Sequence, residues 1–281
     1  MVAIWERRSW KWAVGMPATK WRKPRPRRPR EGRFPQRFRP SILAGRGGTR
    51  VGAGVLDACA GVAALCSVPE VRHLPIFDIR ILTKRLELRL PDLELLDELA
   101  SLAVEGIHSP ETMPFGVPWT DQPSPQLARE TVRWNLLQLA TWKPEAWSFN
   151  PVVLHAGRVV GTQGISATSF AVTRSFMTGS WLGRAHQGQG LGREMRAAIL
   201  HFGFSALGAE TALSGAFRDN PASLGVSRSL GYEENGELVV ERRGLPAEKV
   251  SLRLSRERWA LTDRPEVHVA GVERCLDFFG V

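Results

Sequence analysis

Residues 184–192, Arg-Ala-His-Gln-Gly-Gln-Gly-Leu-Gly, constrain this chain more than any other stretch. They lie between an apolar, strand-like run and a segment with an apolar helical stripe. Upstream, residues 170–182 are rich in strand formers such as Val172, Thr173, Phe176, Thr178 and Trp181. Downstream, Leu191, Met195, Ala198, Ile199 and Phe202 recur at helical spacing and predict a half-buried helix over residues 191–207. A glycine-rich turn between strand and helix lets several backbone N–H groups converge at the positive end of a helix dipole. That arrangement makes a site for a phosphate or pyrophosphate.

Two nucleotide-binding readings fail on the residues themselves. A phosphate loop of the Walker type ends in Gly-Lys-Ser/Thr, whereas Gly192 is followed by Arg193 and Glu194. A dinucleotide fingerprint counted from Gly188 and Gly190 meets Arg193 where its third glycine belongs. The plain alternative is a tight turn that holds no ligand.

A second signal follows at Asn220-Pro221-Ala222-Ser223, where Asn before Pro reads as the N-cap and first residue of a helix. That helix carries Leu224 and Leu230 and stops at Gly231-Tyr232. Taken together, Gln187-Gly188-Gln189-Gly190-Leu191-Gly192 fits Q/R-x-x-G-x-G/A, and the strand, the N-x-x-S and the helix after it come in the order found in GNAT-type N-acetyltransferases. The run Thr83-Lys84-Arg85-Leu86-Glu87-Leu88-Arg89 resembles the opening strand of the branch that includes ribosomal-protein N-terminal acetyltransferases. The similarity runs from about Leu82 to the C-terminus.

The resemblance implies an α/β acyl-CoA N-acyltransferase fold, a mixed central sheet with helices on both faces. It implies acetyl-coenzyme A as cosubstrate, with no metal, and a primary amine as acceptor, either a protein N-terminus or a small molecule. The loop residues Gln187, Gly188, Gln189, Gly190, Leu191 and Gly192 would hold the pyrophosphate, and Asn220 and Ser223 the pantetheine arm and thiol. A backbone N–H near Trp181 and Leu182 would polarise the thioester carbonyl. Many relatives place a tyrosine five residues before the closing Gly-aromatic pair, but Ser227 stands there in this chain. Ser223 is therefore taken as the proton donor to the leaving thiolate, directly or through a water. Tyr232, whose position matches a core aromatic of the family, is read as packing.

For the general base, Glu105, His108 and Glu111 lie in a helix-ending loop expected at the acceptor site, with Asp121 close by. Glu105 is the one chosen. Met113, Phe115 and Trp119 would wall the acceptor pocket. Arg184 and Arg193 flank the turn and have the geometry to pair with phosphates. The alternatives are a coenzyme A-binding module without catalysis, or an enzyme docked to nucleic acid or ribosome by a basic tail.

Charge sorts the chain into two parts. The net charge is +10, from 38 Lys+Arg and 28 Asp+Glu. Residues 1–75 hold 16 of the basic and 4 of the acidic residues, which leaves 22 against 24 for residues 76–281. The excess basicity thus lies in an Arg/Pro-rich extension, where Lys23-Pro24-Arg25-Pro26-Arg27-Arg28-Pro29-Arg30 neither propagates a helix nor joins a sheet. It is expected to be disordered, and to serve as a nucleic-acid contact, a targeting segment or an inert extension from an over-long start. The inert reading is preferred, because the resemblance begins only after it.

Residues 51–68 are apolar but broken by Asp57 and rich in Ala and Gly, and are read as not membrane-spanning. Cys59, Cys66 and Cys275 give no metal spacing and no even disulfide framework, which points to a reduced, cytoplasmic protein. Residues 76–281 suffice for one domain. Strands are expected over 83–90, 148–156, 158–167, 172–182, 210–217, 232–241 and 248–254, with a turn at Ala156-Gly157. Helices are expected over 92–104, 126–140, 191–207 and 220–230.

Overall fold

The computed structural model describes residues 71–281. The expectations for the basic extension, the apolar stretch 51–68, Cys59 and Cys66 lie outside the described residues. The strands are β1 (Arg80–Leu82), β2 (Leu86–Arg89), β3 (Ala146–Phe149), β4 (Val152–His155), β5 (Arg158–Thr168), β6 (Ser175–Leu182), β7 (Thr211–Phe217), β8 (Glu233–Arg242), β9 (Leu245–Ser255) and β10 (His268–Ala270). The principal helices are α1 (Leu93–Glu105), α2 (Ser124–Ala140), α3 (Leu191–His201) and α4 (Pro221–Ser229). One sheet results, in the order β10-β1-β2-β4-β5-β6-β7-β9-β8, with β3 also paired to β5. Among the described residues its only parallel pair is β6 with β7, joined by the crossover through α3.

Alternation along the strands explains why helices cover both faces. Val152, Leu154 and Val159 pack with Leu95, Leu99 and Leu102 of α1. Their sequence neighbours Val153 and Val160 belong instead to the larger cluster with Met195, Ala198 and Ile199 of α3. The mixed sheet and its two helical layers agree with the expected fold.

Local signals account for most boundaries. Asp92 caps α1 by accepting from Leu95 N at 2.9 Å, and Asn220 caps α4 by accepting from Ser223 N at 3.1 Å. The turn between β4 and β5 falls at Ala156-Gly157, both with positive φ (50° and 76°), the geometry that short hairpins require.

Four expected elements differ. Residues 83–85 turn the chain between β1 and β2, so the opening strand is half of a hairpin, with Thr83 N donating to Leu86 O at 2.9 Å. The strand expected over 148–156 is broken at Asn150-Pro151 into β3 and β4, which both stay on β5. A single helical turn, Phe170–Thr173, delays β6 to Ser175. The helix expected to reach 207 changes at Phe202 into a wider turn through Ala206, where Leu207 N bonds Phe202 O at 3.1 Å.

Candidate functional site

The two parallel strands separate. β6 pairs with β7 only at Ser175↔Thr211, Phe176↔Ala212 and Met177↔Leu213, although both continue further. From Thr178 onward a wedge opens between them, while β6 stays paired with β5 as far as Leu182. Gly183 N donates to Val160 O on β5 at 3.0 Å. Backbone groups alternate sides along a strand, so Trp181 also directs its N–H toward β5, and Leu182 and Ser180 direct theirs into the wedge. Of the two expected thioester contacts, the Leu182 amide faces the opening. Trp181 instead offers its indole to the face that carries α1.

The glycine loop closes the C-terminal end of β6. Gly188 and Gly190 have φ of 73° and 76°, the left-handed region that any side chain would strain. Gly190 is the N-cap of α3 and supplies no side-chain cap, so the first-turn amides of Leu191, Gly192 and Arg193 end in an exposed loop. The glutamines fold back on the loop. Gln187 Nε2 donates to Ile107 O at 2.7 Å and Leu182 O at 2.8 Å, and Gln189 Nε2 to Ala185 O at 2.9 Å. Leu191 is buried in the core, so it has only its backbone to offer a ligand. Gly192 sits where an added Cβ would meet Leu182 Cδ1 at 3.7 Å and Val226 Cγ2 at 3.8 Å, close to both wedge and α4.

Of the flanking arginines, Arg193 turns away to Asp263 O at 2.7 Å, and Arg184 is exposed with its N–H on Gly106 O at 3.0 Å. The cation beside the loop is Arg85, which sequence reasoning missed. Its Nη1 donates to Gln189 O at 3.2 Å and its Nε to Glu194 Oε2 at 2.6 Å. Thr83 Oγ1 donates to Glu194 Oε1 at 2.6 Å. Burial raises the Glu194 carboxyl pKa, but these bonds from Thr83 and Arg85 outweigh it and hold the group below the ordinary glutamate value. The signal was present in the Thr83-x-Arg85 motif, which sequence alone gives no spatial partner.

At the matching end of β7, Asn220 spends its Oδ1 on the α4 cap, and Ser223 is half-buried in the first turn. Ser227, in the place of the family tyrosine, is fully buried, and its hydroxyl has no hydrogen-bond partner among the described residues. Tyr232 packs in the core as expected, yet its hydroxyl lies 3.3 Å from Thr178 Oγ1 at the apex of the wedge and also contacts Arg196. Burial raises its pKa.

The face that carries α1 is walled by aromatic rings. Ring centroids run from His108 to Phe115 at 5.8 Å, on to Trp119 at 5.2 Å and to Trp181 at 6.0 Å. The loop bearing them is fastened to the β8–β9 turn. Arg243 pairs with Asp121 at 2.8 and 2.5 Å and reaches Pro110 O at 3.1 Å. Arg242 pairs with Asp219 at 2.9 and 2.6 Å and reaches Met113 O at 2.8 Å.

The base candidates separate on these contacts. Hydrogen bonding from Arg243 holds the Asp121 carboxyl below the usual range, which makes it a weak base and a latch instead. Both ring nitrogens of His108 are occupied, by Ser109 O at 2.8 Å and Thr120 Oγ1 at 2.7 Å. Glu111 accepts from the Ser109 hydroxyl. Glu105 is exposed at the end of α1, next to the Gly106 carbonyl that holds the glycine loop. Among the described residues no three His, Cys, Asp or Glu side chains cluster to hold a metal, and no helix is long and apolar enough to cross a membrane.

This fold and wedge define a class. The family model of the acetyltransferase (GNAT) domain matches residues 85–233, more than half of the chain, and the chain belongs to that family. Solved structures share the fold. A ribosomal L7/L12 α-N-protein acetyltransferase, RimL, solved with coenzyme A, is 16% identical over 62% of this chain and 95% of its own, with a TM-score of 0.51. A spermidine N-acetyltransferase chimera of Vibrio cholerae and hSSAT is 17% identical over 63% and 99%, with a TM-score of 0.50. An acetyltransferase from T. thermophilus is 19% identical over 64% and 91%, with a TM-score of 0.52.

Proposed function

We propose that the protein transfers the acetyl group of acetyl-coenzyme A to a primary amine, on a protein N-terminus or a small molecule, by direct attack on the thioester. The observation that carries this reading is the wedge between β6 and β7, which opens at the same end as an uncapped glycine turn. Ligands of parallel strands bind beyond their carboxyl ends, where helix N-termini present free amides.

Gly188, Gly190 and the amides of Leu191 and Gly192 hold the pyrophosphate, with Arg85 adding charge beside Gln189. Gln187 and Gln189 act indirectly, by fixing the loop. The pantetheine arm lies between β6 and Asn220. The thioester supplies an activated acyl carbon, and the amide of Leu182 stabilises charge developing on its oxygen. Ser223 returns a proton to the thiolate, and Glu105 takes one from the amine, either directly or through water. Met113, Phe115, Trp119 and Trp181 shape the acceptor side.

Residues 76–281 are the catalytic domain in this reading, and residues 1–75 a basic extension outside the chemistry. We place the enzyme in the cytoplasm. Its one cysteine among the described residues, Cys275, is buried, and burial pushes its thiol up to about 11.

Turnover of acetyl-coenzyme A by the full chain against a panel of peptides and polyamines tests the reaction. Acetylated product supports it, whereas binding without product with every amine leaves a coenzyme A-binding module. Salt-sensitive RNA binding that vanishes on deleting residues 1–75 would instead assign the extension a docking role.

A further inference from the structure

Arg196 is the feature of the wedge that acetyl transfer leaves unused. It is 5% exposed, on the α3 face of the sheet. Its Nη2 donates to Ser180 Oγ at 2.9 Å, its Nη1 to Ser214 Oγ at 3.2 Å and its Nε to Gln163 Oε1 at 3.2 Å. Tyr232 completes the surround. Every one of these partners is neutral, and among the described residues no carboxylate pairs with this guanidinium. Glu194, two residues away on the same helix, is instead tied to Thr83 and Arg85. A buried cation without a counter-charge is costly, and such groups are ordinarily paired or neutralised.

Its place says from which side an anion could approach. Ser214 follows Leu213, the last β7 residue paired with β6, and Ser180 lies two residues beyond Thr178, where β6 is paired with β5 but no longer with β7. The guanidinium therefore bridges the strands where they part. Ser180, which is part-exposed, is its outlet into the wedge. The aromatic loop and Trp181 lie on the opposite face, so an acceptor held there is separated from Arg196 by the sheet. A negative group that approached Arg196 through the wedge would therefore come with the acyl donor.

We infer that Arg196 selects a thioester whose acyl chain ends in a carboxylate, with succinyl-coenzyme A the best fit. The inference rests on the proposed acyltransfer and extends its donor beyond acetyl. Ser180 lies roughly 6.5 Å along β6 from Leu182, at two residues of strand rise. A carboxylate two methylenes past the carbonyl reaches about 4–5 Å, and a charge-assisted hydrogen bond of about 2.8 Å closes the rest. An acetyl group has no chain to extend toward Ser180, and a butyryl group of similar length to the succinyl chain brings no charge.

The test is calorimetric titration of the full chain with coenzyme A, acetyl-, butyryl- and succinyl-coenzyme A. Succinyl-coenzyme A is expected to bind at least tenfold more tightly than butyryl-coenzyme A, and Arg196→Met to remove that difference. Equal binding of the two by the wild-type protein, with coenzyme A still bound, overturns the inference and leaves Arg196 a structural bridge. Failure of all four ligands to bind overturns the acyltransferase reading as well. The wild-type comparison decides the matter even if Arg196→Met does not fold.

Discussion

Thr83 Oγ1 donates to Glu194 Oε1 at 2.6 Å, joining the turn of the first hairpin to the first turn of the helix that follows the glycine loop. Arg85 grips the other carboxylate oxygen and the Gln189 carbonyl, so three side chains hold the loop against the sheet. Glu194→Gln is expected to cost about 1–3 kcal/mol at neutral pH, the range for a hydrogen-bonded charged group. Since the folded pKa lies below the unfolded one, this stability is complete above about 4.3, the unfolded glutamate value. It is lost as pH falls through the lower folded value. Urea melts of wild type and variant from pH 7 to 3 check this, because the gap between them must shrink only at the acid end.

Gly190→Asp puts a side chain on a residue with φ 76° and a negative charge where the amides converge. Backbone strain of about 1–2 kcal/mol lowers stability modestly. Affinity for coenzyme A is expected to fall tenfold or more. A folded variant with wild-type affinity, measured by titration, would remove the loop from the binding site.

The cap of α4 and the proposed proton donor share one helical turn but separate by mutation. Asn220→Ala removes the bond to Ser223 N and is expected to cost about 1 kcal/mol in a melt. Ser223→Ala keeps that backbone bond and is expected to lower kcat while leaving the Kd for acetyl-coenzyme A within twofold. An unchanged kcat would take Ser223 out of the chemistry.

How far the sequence reads depends on what each signal needs. The glycine loop, the Asn220 cap and the Ala156-Gly157 turn declare themselves because positive φ and capping select particular residues locally. The hairpin at Thr83–Leu86 does not. Its turn contains no Gly or Pro, and Thr83 is held by Glu194, 111 positions away. The break at Asn150-Pro151 was visible as a residue pair, but both pieces continue along the same neighbour and so read as one strand. Arg196 and Glu194 look like solvated helix charges until the sheet covers them. Likewise, the latches from Arg242 and Arg243 connect segments more than a hundred residues apart.

Those latches give a further prediction. Hydrogen bonding from Arg243 lowers the Asp121 pKa, and Arg242 does the same for Asp219. Both pairs therefore hold above the ordinary aspartate value of about 3.9 and release as pH falls through the lower folded values. Asp121→Asn should loosen the aromatic loop at neutral pH, raising KM for the amine with no change in Kd for coenzyme A. Faster amide exchange confined to residues 107–121 would accompany it, and unaltered exchange and KM would show that the pair does not hold the loop.

The central claim, that the wedge and glycine loop bind the donor, is tested most directly by thermal unfolding of the full chain with and without acetyl-coenzyme A. The account predicts a Tm that rises with cofactor concentration, as mass action requires of a ligand bound only by the native state, and that needs at least tenfold more cofactor for the same rise in Gly190→Asp. No shift at millimolar acetyl-coenzyme A would contradict it and return the glycine turn to a purely structural role.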